Sequence, residues 1–116
     1  NLRRSAHIAR FLNDSGVICC ASFVAPNSDS REHAVSVIGK DNCYLIYLNP
    51  PIETCIQRDP SGLYTSAEGS DSVDIPGLSF PYTPPEDVRL ELDTATLSVE
   101  QCLTQVIKLM KAEDII

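Results

Sequence analysis

Residues 17–26, VICCASFVAP, form one unbroken apolar run of β-branched and small residues closed by Pro26. Residues 42–49, NCYLIYLN, repeat the pattern just before Pro50 and Pro51. Neither run alternates apolar with polar, so neither reads as a strand with one wet face. Both predict strands buried on both faces, the signature of a parallel sheet covered by helices.

The intervening segments have the period that such a sheet needs. Leu2, Ala6, Ala9 and Leu12 recur at helical spacing, Ile8 joins Leu12, and Arg3, Arg4, His7 and Arg10 supply the polar side. Gly16 closes that helix. Ser28, Asp29 and Ser30 offer N-caps for a short helix through REHAVSVI (31–38), stopped at Gly39. Pro50 and Pro51 suit a first turn, and IETCIQRD (52–59) carries Ile52, Cys55 and Ile56 on one face.

VRLELD (88–93) reads as a third, short strand. Ser98 and Gln101 form a capping box before a last helix striped by Val99, Cys102, Leu103, Val106, Leu109 and Met110. Strands separated by helices indicate parallel units with right-handed crossovers, so the expected class is a three-layer α/β domain. Residues 65–87 have no period and read as a long, mobile, lid-like surface loop.

The chain has 116 residues, 43% of them hydrophobic, which suits one domain with one core. A formal charge of −7 argues against nucleic acid as a partner. No apolar run approaches the roughly 20 residues of a membrane helix, and no leader pattern is present, so a cytoplasmic location is expected. Five cysteines lie in apolar stretches without metal-ligand spacing and predict buried free thiols in a reducing compartment. His7 and His33 have no ligand partners in the sequence and read as helix-surface residues. The chain opens on Asn1, already in a helical pattern, and reads as a piece of something longer.

RDPSGLY (58–64) asks for more than a helix end. Proline and glycine after a helix are ordinary punctuation, but Arg58, Asp59 and Tyr64 are not explained by it. Asp59 reads first as a helix-end cap or a partner of Arg58. Taken with NLRRSAHIARFLNDSG (1–16), SFVAP (22–26), CIQRDPSGLY (55–64), IPGLSFPYTPPE (75–86) and RLELDTATLSVEQC (89–102), in that order, the chain resembles the adenylylsulfate kinase (APS kinase) family. Those enzymes phosphorylate the 3′-hydroxyl of adenosine 5′-phosphosulfate (APS), using ATP with Mg²⁺.

The resemblance implies a P-loop-kinase-like parallel sheet with two groups of site residues. Arg58, Leu97 and Cys102 fall on the ATP adenine side, where a guanidinium plane can stack on a ring. Asn1, Val24, Ala25, Ser61 and Ile75 fall on the APS side. Arg3 and Arg4 read otherwise as solvated helix charges, and Leu97 and Cys102 as core residues. The family also implies dimers or fusions, often with an ATP sulfurylase.

Several positions depart from the family pattern. Ala25 replaces a serine, and Ser61 replaces a lysine that faces the anionic substrate. Thr65 and Ser66 replace two basic residues, Glu68 stands for an arginine, and Ile75 replaces a phenylalanine that stacks on the APS adenine. Phosphoryl transfer depends on positioning and charge stabilisation, so lost cations weaken the catalytic reading. Nothing resembles G-x-x-x-x-G-K-[ST], whose loop and strand precede the position of Asn1 in the family. The chain is therefore expected to be the C-terminal portion of one kinase domain, over residues 1–116, with no metal bound and no transfer activity by itself.

Three functions compete: a working APS kinase, a degenerate regulatory or structural domain that binds APS, its phosphorylated product or no nucleotide, and a P-loop kinase for another small acceptor. RDPSGLY and PYTPPE argue against the third. The substitutions at Ala25, Ser61, Glu68 and Ile75 favour the degenerate domain over the working kinase.

Overall fold

The computed structural model describes residues 1–67 and 74–116. Helix α1 (Leu2–Asp14) and helix α2 (Ser28–Ile38) pack on each other, with Ala6, Ala9 and Ala34 buried at the contact. Small side chains let the two backbones approach closely. Arg10 adds a bond from Nη1 to the Val37 carbonyl at 3.1 Å. Gly16 ends α1 as expected, at φ 77 with its amide on the Asn13 carbonyl. At α2 the cap is Asn27, whose side chain accepts from the Ser30 amide at 3.0 Å, one residue before the expected candidates.

Strand β1 (Ile46–Leu48) pairs in parallel with strand β2 (Leu90–Leu92), in the register Ile46 to Leu90, Tyr47 to Glu91 and Leu48 to Leu92. Amides at Asn49 and Arg89 extend the ladder at both ends, each at 2.9 Å. Between the strands run α3 (Ile52–Arg58) and α4 (Leu63–Ala67). The last helix, α5 (Val99–Ala112), begins with the expected capping box and packs against β2, where Leu92 is fully buried. The architecture is α/β with a parallel sheet.

The run 17–26 differs from expectation. It pairs with no strand among the described residues, and Ile18 and Val24 are 53% and 65% exposed. A strand assignment requires a hydrogen-bonded neighbour, and no described segment supplies one. The same lack of cover leaves Leu48 exposed at the end of β1, which is half-buried and not enclosed. The five cysteines are free as expected, but four are half-buried and Cys20 is exposed. The expected loop over 65–87 is entered by α4, residues 68–73 fall outside the described residues, and Ile75 on its far side is 2% exposed.

Candidate functional site

RDPSGLY folds as a hinge between two helices. Asp59 follows α3 at φ 7 and ψ 57, the Gly62 amide returns to the Asp59 carbonyl at 3.1 Å, and Gly62 sits at φ 68, where a side chain would strain the backbone. The Asp59 carboxylate accepts from the Thr65 amide at 3.0 Å, the Thr65 hydroxyl at 2.8 Å and the Tyr64 amide at 3.3 Å. It therefore caps the helix that follows. The Thr65 amide, with the Thr65 hydroxyl and the amides of Tyr64 and Leu63, holds its carboxyl below the ordinary carboxylate range, against a smaller opposing effect of desolvation.

Arg58 turns away from Asp59. Its Nη2 donates to the Thr94 carbonyl at 2.8 Å, joining the end of α3 to the turn between β2 and α5. That turn is built by Asp93, whose Oδ1 accepts from the Ala95 amide at 2.9 Å and whose carbonyl accepts from the Leu97 amide at 3.0 Å. The result is an open cleft of about 410 Å³ in which Arg58, Leu97 and Cys102 come together with Leu48, Thr94, Ser98 and Val99. Leu48 and Thr94 place it at the carboxyl ends of the two parallel strands, where open α/β sheets bind ligands. Apolar walls with one guanidinium suit a flat heteroaromatic ring.

The residues expected on the APS side do not share one cleft. Asn1 lines a second hollow of about 380 Å³ with Arg3, Asp29, Ser30 and His33, and its Oδ1 accepts from Arg4 Nη2 at 2.8 Å. His7 and His33 lie on exposed helix surfaces. Ser61 is exposed in the turn, Val24 is exposed, and Ile75 packs inward. Ala25 sits at φ 42, an unusual value for alanine. Glu68 lies outside the described residues.

One residue was missed from the sequence. Arg31 is 8% exposed and donates from Nη1 to the Ala25 carbonyl at 2.6 Å and from Nη2 to the Thr83 carbonyl at 2.7 Å. The signal was its position three residues before Ala34, on the inward face of α2.

Among the described residues no three His, Cys, Asp or Glu side chains converge as a group that could hold a metal. No helix there is long and apolar enough to cross a membrane.

The site is an apolar, guanidinium-edged cleft at the ends of two parallel strands in an α/β frame, an arrangement that suits a flat ring. Comparison with known proteins gives the family. A family profile described as adenylylsulphate kinase matches residues 1–93, and the chain belongs to that family. It is 37% identical over its full length to a bifunctional enzyme CysN/CysC of Rhodopirellula baltica, covering 18% of that protein. It is also 37% identical over 110 residues to an adenylyl-sulfate kinase of Bacteroides thetaiotaomicron, covering 95% of this chain and 55% of the relative. The solved structure of the Mycobacterium tuberculosis APS kinase CysC, in complex with AMPPNP and APS, superposes with a TM-score of 0.87 at 28% identity, over 95% of this chain and 64% of that one. The chain thus spans little more than half the length of the single-activity relative.

Proposed function

We propose that residues 1–116 are the C-terminal portion of an adenylyl-sulfate kinase domain that transfers the γ-phosphoryl group of ATP to the 3′-hydroxyl of APS. The observation that carries this is the convergence of Arg58, Leu97 and Cys102 on one cleft at the strand ends. Arg58 lies flat against the ATP adenine, and Leu97 and Cys102 close the apolar side. Mg²⁺ arrives with the ATP phosphates, as this hard cation commonly does, and is held by groups outside these residues.

On the acceptor side, Asn1, Val24, Ala25, Ser61 and Ile75, which share no cleft within these residues, contribute separate parts of an APS pocket completed by the rest of the domain. Ile75 contributes shape from beneath, since its side chain is packed in the core. The greater length of the relatives and the uncovered apolar run 17–26 support the reading of a partial domain. The bifunctional relative supports a fused or associated second enzyme, which we assign as an ATP sulfurylase. Free thiols support a reducing, cytoplasmic setting. The kinase reading is preferred to the regulatory one because the relatives carry the kinase name and the adenine-side cleft is assembled.

The test is APS-dependent ADP release from ATP, followed by a coupled assay on the intact protein that carries these residues. Saturable release that requires APS is expected. ATP turnover indifferent to APS, or none at all, would overturn the assignment.

A further inference from the structure

Arg31 is a buried charged side chain with no carboxylate partner among the described residues; its cation is stabilised by two backbone carbonyls and an aromatic face. The carbonyls belong to Ala25 and Thr83, far apart in sequence. The guanidinium carbon lies 6.0 Å from the centre of the Tyr82 ring, and Tyr82 stacks on Tyr47 with centroids 6.2 Å apart and planes 12° from parallel. Tyr47 in turn donates to Asn49 Oδ1 at 2.9 Å, and Asn49 donates to Glu91 Oε1 at 2.7 Å. The Thr83 amide donates to the Pro26 carbonyl at 2.8 Å, so the two chain segments are also bonded directly to each other.

Charge-assisted bonds from a planar fork fix both the distance and the angle between their acceptors. Arg31 thus clamps the end of the apolar run, at 24–26, to the segment 81–83, and ties both to the parallel sheet through the tyrosine stack. Ala25, at φ 42, is the residue whose carbonyl is held by the bond to Nη1.

We propose that Arg31 is a positioning residue for the acceptor nucleotide: by bonding the Ala25 and Thr83 carbonyls together it fixes the backbone around Ala25 and thereby the affinity for APS, without touching it. This rests on the assignment of Ala25 to the acceptor pocket. It separates the two substrates, because the cleft of Arg58, Leu97 and Cys102 shares no residue with the clamp.

The experiment compares wild type, Arg31→Lys and Arg31→Met in the intact protein, measuring KM for APS and for ATP and amide hydrogen exchange by mass spectrometry. Arg31→Met is expected to raise KM for APS about tenfold or more, the scale of a lost charged bond. KM for ATP should stay within about twofold, since no residue of the clamp lines that cleft. Arg31→Lys folds with the charge retained yet does not rescue, since a single ammonium nitrogen does not reproduce the planar fork whose two nitrogens set the spacing and angle of the carbonyls. Exchange at the Tyr82 and Thr83 amides accelerates while that in α5 is unchanged. An unchanged KM for APS, or equal rises for both substrates, would overturn the proposal. If wild type does not use APS at all, the functional assignment fails separately, and unchanged exchange at Tyr82 and Thr83 in the variants would then refute the clamp.

Discussion

Arg58 holds the Thr94 carbonyl at 2.8 Å, so the end of α3 and the turn before α5 form one wall. A guanidinium fixed at one edge is already oriented when a ring arrives, which lowers the ordering cost of binding. Arg58→Ala is expected to raise KM for ATP about tenfold through loss of the stacking cation and of the tether. KM for APS should be much less affected. Steady-state kinetics with each substrate varied in turn checks this, and an equal effect on both would argue against an adenine role.

Asp59 gives a pH prediction. Its carboxyl is depressed in the folded protein by the Thr65 amide first, then by the Thr65 hydroxyl and neighbouring amides. A group depressed on folding contributes stability above its unfolded value, and the contribution is lost as pH falls through the folded value. Asp59→Asn should therefore lower the melting temperature at neutral pH. The gap from wild type should close in strongly acidic buffer, where both side chains are neutral. A gap that stays constant from neutral to acidic pH would show that the carboxylate charge does not cap α4.

Ser61 stands exposed at the head of the turn where the family resemblance places a lysine. Ser61→Lys is expected to tighten APS binding by on the order of 1 kcal/mol, and the gain should shrink with added salt. Calorimetric titration at two ionic strengths reads both effects. A gain independent of salt would point to something other than an anion contact.

The capping box at the start of α5 gives a stability prediction. The Ser98 hydroxyl accepts from the Gln101 amide at 3.2 Å, and Gln101 Oε1 accepts from the Ser98 amide at 2.7 Å. Ser98→Ala should cost about 1 kcal/mol in chemical denaturation. Because Ser98 also borders the cleft, a small rise in KM for ATP is expected alongside it.

Periodicity and punctuation made the helices legible: Gly16 and Gly39 end α1 and α2, and Ser98 with Gln101 starts α5, where they were expected. β1 and β2 were equally visible, but the pairing of 46–48 with 90–92 is a long-range fact that no local pattern carries. VICCASFVAP misled for a physical reason. Its composition reports the environment it is suited to, whereas strand status depends on a partner that no described residue provides. At the site, Arg58, Leu97 and Cys102 were legible only through the ordered motifs of a family. Arg31 was hidden because its acceptors are backbone carbonyls at Ala25 and Thr83, which leave no mark in side-chain spacing.

The central claim is that the cleft at the ends of β1 and β2 receives the ATP adenine. Cys102 is a half-buried thiol in that cleft, and Cys20 is an exposed thiol outside it. The direct measurement is the rate of alkylation of each by a small electrophile, read by peptide mass spectrometry on the intact protein with and without saturating ATP. ATP is expected to slow labelling of Cys102 and to leave Cys20 unchanged. Labelling of Cys102 at the same rate with and without ATP would contradict it.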